Sequence, residues 1–539
     1  MYLLKKSPRG LGLNEPIKHE SHKRPVTRRD FISQGFMTGP AVVAAPTLLT
    51  LLVRSEIAKG NPLSPDLEAM LGASACNIQA GAGKVPFICF DLAGGANLQG
   101  SEILLGLSGN QTNFLSTQGY AKVGLPGNMT PNSPNAGSAT NNFINTEFGT
   151  AWHSDGAILR GMLASTQVTT RANVNGFPIA ARSENDTGNN PHNPMYGINR
   201  IGADGELLTL IGSQNSDSGG NSMAPAALIN PAARPTKVDR ASDVTGLVDT
   251  GELSSMFTNS DDAIAVLESM TRLGHRKTDL VDPKLVSAAA EEQLKELVKC
   301  GYVKSTYLAD RFRTPAALNP DLDPDIKGSA GIFTDAEYNS DGEFRKTAAV
   351  MKMVINGYAG AGTVTMGGYD YHGQGRNTGE NRNFRAGRCI GACLEYARRK
   401  NKPLMIYIFS DGALSANGMV NNTLDGRGKL DWASDNQSTA SSIVLVHRPL
   451  GRVAFRDPAR MQIGSMSSGG SVVTTSSPAA NAVNLLVETV LLNYMALHGE
   501  EGNFDQLAFF PRHGLGGSAS RDALTIFAPV CNGTVSTPV

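Results

Sequence analysis

Three short apolar runs constrain this chain more than any other feature. Val85 to Phe90, Val364 to Met366 and Pro403 to Phe409 are apolar and short, the pattern of strands covered on both faces. Each runs into a glycine-containing polar loop: Asp91 to Asn97, Gly367 to Gly373, and Ser410 to Gly412. Amphipathic helical spacing over Gly342 to Tyr358 leads into the second run through Ala359 to Gly362. A helix over Asn383 to Lys400, ending in Arg398-Arg399-Lys400, leads out of it toward the third. Alternation of this kind predicts a three-layer α/β fold, a mainly parallel sheet with helices on both faces. Further strands are expected at Phe177 to Ala181 and Ser442 to His447, and a long helix at Asn481 to His498.

In open α/β sheets the carboxyl edge of the strands is where ligands bind. The loop Gly-Gly-Tyr-Asp-Tyr-His-Gly at 367–373 places Asp370 and His372 two residues apart at that edge. A carboxylate oxygen and an imidazole nitrogen on one loop suit a divalent ion such as zinc or manganese. The bland alternative is a hydrogen-bonded Asp-His turn. Asp411 ends the next buried strand, so two consecutive βα units bring Asp370, His372 and Asp411 to one edge. Asp91 or Asn97 approaches it from the first loop. After the Phe177 strand, the loop from Arg182 to His192 carries Ser183 and Thr187, hydroxyls that could serve as a nucleophile or simply line a loop of Asx turns. A helix is expected from Gly156 to Leu163 with Ser154 or Asp155 as its cap, and His153 beside it is either a site residue or a packing one.

The chain has 539 residues, which at about 100–200 residues per domain allows several. We expect an N-terminal export signal and linker over 1–60, then a single large α/β domain over 61–539. A helical insertion around 255–345 rests on helical spacing at Ser260 to Arg272 and Pro283 to Val298. The 48 basic and 48 acidic residues cancel, so no global field draws the chain to nucleic acid, and no basic, aromatic-interleaved patch is present. The segment from Gly106 to Asn145, rich in Asn, Gly and Ser, predicts long loops. None of the six cysteines forms a Cys-x-x-Cys pair. They read as buried small hydrophobes, some open to oxidation in an exported chain.

Export is suggested by Thr27-Arg28-Arg29-Asp30-Phe31-Ile32 ahead of an apolar stretch from Phe36 to Val53. This resembles a twin-arginine signal, which directs proteins that fold before crossing the membrane. Its stretch is marginal for a span, so both a cleaved signal and a membrane anchor fit.

Together with the order of elements after residue 85, these pieces resemble the domain of unknown function 1501 family, related to the alkaline phosphatase and sulfatase superfamily. Members typically carry a twin-arginine signal, a Gly-Gly-x-Asp loop, a Gly-Gly-x-Asp-x-His loop, a Ser-Glu-Phe-Gly segment and a later Asp-His-Gly. Gly367, Gly368, Asp370 and His372 match closely. The resemblance implies an alkaline-phosphatase-like fold, with two metals that activate a nucleophile for phosphoryl or sulfuryl transfer. Three departures stand against that chemistry. Asn97 replaces the family's Asp, Ser410-Asp411-Gly412 replaces Ser-Glu-Phe-Gly, and Asn436, beside Asp435, replaces its His. Losing a charge and a nitrogen ligand implies the loss of at least one metal, with His447, His153 or Asp91 as substitutes. The expected ligand set is Asp370, His372 and Asp411, with Asn97 and Asp435 as further oxygen donors around one divalent ion. The expected protein is an exported periplasmic or cell-surface component with a degenerate metal site and a binding or assembly role. Its expected partner is the twin-arginine machinery, not nucleic acid. The alternative is a metal-dependent phosphate- or sulfate-ester hydrolase with Thr187 or Ser183 as nucleophile.

Overall fold

The apolar runs do pair into one sheet. A computed structural model describes residues 63–71, 83–184, 190–248, 260–283, 287–312, 315–373, 375–507 and 513–539. The expected export signal, its apolar stretch and Thr187 lie outside these residues. Among the described residues no helix is long and apolar enough to cross a membrane. Two compact units are formed, and the larger carries the sheet.

Elements of the sheet-bearing unit are numbered in chain order. The strands of the central sheet and of one adjoining hairpin are β1 (Phe87–Leu92), β2 (Val174–Ala180), β3 (Leu208–Gly212), β4 (Thr236–Lys237), β5 (Ala359–Met366), β6 (Leu404–Phe409), β7 (Leu414–Val420), β8 (Leu430–Asp435) and β9 (Ser441–His447). The main helices are α1 (Ala157–Ser165), α2 (Met195–Arg200), α3 (Gly342–Ile355), α4 (Gly375–Arg399) and α5 (Val483–Ala496). Seven strands form the central sheet in the order β2-β9-β6-β1-β5-β3-β4. Only β9 runs antiparallel to its neighbours, β2 and β6. Residues β7 and β8 form a separate antiparallel hairpin. In the central register Asp91 lies level with Thr365 on one side and Phe409 on the other.

Helices cover both faces, as the apolar runs predict. Phe87, Cys89, Tyr407, Phe409 and Val444 share one buried core with Met195 of α2 and Leu491 of α5. On the other face α3 packs on β5 with α4 beside it. A Cβ at Gly362 would lie 2.6 Å from Val350 Cγ1 of α3. That close approach explains why Ala359 to Gly362, read above as the link into a strand, is itself strand: glycine lets the helix sit directly on the sheet.

Two other boundaries differ for a shared reason. Helix α4 begins at Gly375 rather than Asn383, because its polar first turns are not solvent-facing: Arg376, Glu380 and Asn383 are buried. Helix α1 has Gly156 at its N-cap with no side-chain bond from the cap. Glu102, from a distant loop, accepts the Ile158 N–H at 2.8 Å instead. Buried polar groups supplied from elsewhere replace the local capping signals in both cases.

The smaller unit is helical. Pro65–Leu71 lies with Ser260–Asp279 and Ala288–Arg311. Leu63, Leu67 and Ile264 form its small core, and Asp66 pairs with Arg272 at 2.7 Å. Cys300 in this unit is disulfide-bonded. Cys89, Cys389, Cys393 and Cys531 are free and buried. Of the expected insertion, residues 260–312 belong to this unit, while 315–345 belong to the sheet-bearing one.

Candidate metal centre

The loop after β5 sorts its side chains by alternation. Tyr369 and Tyr371 are fully buried, while Asp370 and His372 point outward. The Tyr369 hydroxyl donates to the Arg382 carbonyl at 2.8 Å, and the Tyr371 hydroxyl accepts the Asn97 N–H at 3.0 Å. Gly379 makes room for this packing, since a Cβ there would lie 2.9 Å from the Tyr371 ring. The loop is also stitched to the one after β1: Ala93 N–H donates to Met366 O at 3.0 Å, and Tyr369 N–H to Ala93 O at 3.0 Å. Gly94, at φ +131°, lets the two loops touch, because a Cβ there would fall 2.2 Å from the Asp370 nitrogen.

His372 Nδ1 lies within hydrogen-bonding reach of Asp370 Oδ1 and 3.3 Å from Asp435 Oδ1. One ligand atom from each of Asp370, His372 and Asp435 lies within 4.8 Å of the others. Asp435 closes β8, where it pairs with Leu414, and the hairpin thus returns to the carboxyl edge. The three side chains are 53 %, 38 % and 46 % exposed, so the cluster faces water. Two carboxylate oxygens and one imidazole nitrogen are a donor set that fits a divalent ion of intermediate hardness, with the remaining positions open. A divalent ion held there would supply Lewis acidity.

Asp411, expected as the third ligand, is not in this cluster. It is fully buried. Its Oδ1 accepts the Gly94 N–H at 2.7 Å and its Oδ2 the Asn221 side-chain amide at 3.1 Å. Its role in the structure is to hold the first loop against Asp370. Asp91 is likewise consumed: its carboxylate accepts the Asn221 N–H at 2.7 Å, the Ser222 N–H at 2.8 Å and the Ser222 hydroxyl at 3.2 Å. Burial, with the nearby Asp411 charge adding to it, pushes Asp91 up to about 6.

The other candidates have surroundings of their own. Asn97 is buried, with its Nδ2 3.5 Å from Leu414 O and its Oδ1 without a hydrogen-bond partner among the described residues. Ser183 is 3 % exposed and its hydroxyl has no hydrogen-bond partner among the described residues. Asn436 caps a short 3₁₀ turn, accepting the Ser438 N–H at 3.1 Å. His153 is fully buried, stacked 5.2 Å from Phe143 and bonded to Met129 O at 2.8 Å. His447 ends the antiparallel strand β9 level with Leu404, the first residue of β6, at the opposite edge of the sheet.

Sequence reasoning missed Asn221 and Ser222, whose amides occupy Asp91. The signal was present in Gly219-Gly220-Asn221-Ser222, where two glycines let the backbone amides approach a carboxylate; a Cβ at Gly220 would lie 2.9 Å from Asp91 Oδ2. His192 was passed over as well. It is 2 % exposed and stacks 5.5 Å from Phe409, with neither ring nitrogen hydrogen-bonded among the described residues. Burial holds it neutral, its pKa lowered to about 3. Comparison with known proteins adds no identity: no family model matches the chain, and no curated protein matches it.

Proposed function

We propose that the protein is an exported, periplasmic or cell-surface binding or assembly component that holds one divalent cation, zinc or manganese, at Asp370, His372 and Asp435. The observation that carries this reading is the convergence of those three side chains within 4.8 Å. Asp411, expected as the third ligand, and Asp91, expected as a substitute for a lost one, have their oxygens engaged by amides and a hydroxyl. The case for export rests on Arg28 and Arg29, and the disulfide at Cys300 agrees with an oxidising compartment. The alkaline-phosphatase-like reading of the fold rests on the Gly367 to His372 match and on the mostly parallel sheet.

Metal analysis of the full-length protein after dialysis against zinc or manganese tests the reading. One equivalent is expected, lost in Asp370→Ala, with no turnover of phosphate or sulfate esters. Two equivalents, together with ester hydrolysis that Asp370→Ala abolishes, would overturn it. The hydrolase remains the second reading, because exposure of the triad leaves coordination positions open to water and substrate.

A further inference from the structure

The triad is assembled from two segments, the Gly367–Gly373 loop leading into α4 and the strand β8. What holds those segments in register is charged and largely buried. Asp431 of β8 accepts the Arg376 backbone N–H through Oδ1 at 2.7 Å. An orphan amide in the first turn of α4 thereby gains an anionic acceptor, which the helix dipole favours. The Arg376 guanidinium lies 4.6 Å from the centre of the Trp432 ring, also on β8, and donates to Glu380 Oε1 at 3.0 and 2.9 Å.

Lys429, immediately before β8, has a side chain that is 0 % exposed. It donates to Glu380 Oε1 at 2.8 Å and to the Asp155 carbonyl at 2.7 Å. Arg160 of α1 reaches Glu380 Oε2 at 2.5 Å. The two helices meet closely, since a Cβ at Gly387 of α4 would lie 2.1 Å from Ile158 O of α1. An ammonium removed from water persists only where its charge and hydrogen bonds are matched. For Lys429 those matches come from α4 and from the turn before α1, so the root of β8 is fixed on a rigid helix pair.

We infer that Lys429 and Asp431 are positioning residues for the cation site: they seat β8 on the first turns of α4 so that Asp435 meets His372. Neither is shown touching a donor side chain, so their effect passes through the backbone of β8; residues that bias a site without contacting its ligand shift affinity by about 2–30-fold. The inference rests on the metal reading for what Asp435 holds, whereas the seating of β8 is measurable without metal.

The test compares the full-length protein with Asp431→Ala, Asp431→Asn and Lys429→Met, by amide hydrogen exchange over 430–435 and by calorimetric titration with Mn²⁺ alone. Asp431→Ala is expected to speed exchange over 430–435 while leaving β1 and β5 protected, and to weaken Mn²⁺ binding about tenfold. Asp431→Asn keeps an acceptor oxygen and is expected to restore both. Lys429→Met is expected to act as Asp431→Ala does; should it fail to fold, the Asp431 pair carries the test. Unchanged exchange and unchanged Mn²⁺ affinity in folded Asp431→Ala overturn the inference. A parent protein that binds no Mn²⁺ overturns the metal reading instead, and the exchange data then still decide whether β8 is seated by these residues.

Discussion

Two groups of acidic residues sit at the same edge of the same sheet and have opposite fates. Asp91, within β1, and Asp411, just past β6, are buried and spend their oxygens on groups of neighbouring loops. Asp370 and Asp435 lie farther out, on a loop and a hairpin end, about half exposed and directed at one imidazole. The difference lies in what the surrounding backbone needs. A tight glycine turn leaves N–H groups without partners inside the protein, and the nearest carboxylate satisfies them. A carboxylate carried beyond those turns reaches the surface beside the imidazole, where an ion can approach it.

The contrast breaks most readily at Asp411. Asp411→Ala removes the acceptor of the half-buried Gly94 N–H and of the Asn221 side-chain amide, and the loss of a buried carboxylate that ties two loops is expected to cost about 3 kcal/mol. Urea unfolding measures it, and a change below about 0.5 kcal/mol would mean that Asp411 is no anchor. A second effect comes from pH. Asp91 ionises at about 6 in the folded protein against an ordinary 3.8, so its contribution is fully present below pH 3.8 and is lost as pH rises through 6. A displacement of that size sets a ceiling of about 3 kcal/mol, lost between those limits. Stability measured across that window should fall less steeply in Asp91→Asn, and an equal slope in the two proteins would remove Asp91 as its source. The smallest stability effect belongs to the exposed group: Asp370→Ala should change unfolding by less than about 0.5 kcal/mol while abolishing cation binding. A large loss of stability there would make the triad a structural cluster instead.

The sequence carried the architecture well and the site only in part. Continuous apolar runs marked β1, β5 and β6, and their alternation with helices implied the parallel sheet. Asp370 and His372 were readable because alternation within one loop decides which side chains face out. Asp435 was named as a donor, but not as the third ligand beside them. It reaches the site through a hairpin whose return path depends on the contacts of Lys429, Asp431 and Trp432 with α4, and these are distant in sequence. Asp411 misled for the complementary reason: a carboxylate after a buried strand looks the same in sequence whether its partner is an ion or an amide. The late placement of the α4 start has a similar origin, since Arg376 and Glu380 read as surface residues until their buried partners are known.

Gly94 has a further consequence. With its missing side chain occupied by the Asp370 backbone, the first loop forms the floor on which the triad loop rests. Position 94 itself accepts no side chain, so the residues flanking it are the control point. In a library selected for altered cation preference, changes at the three donors would tend to abolish binding outright. Changes in the loop around Gly94 would shift Asp370 by fractions of an ångström, and could tune the preferred ion radius while keeping the donors intact.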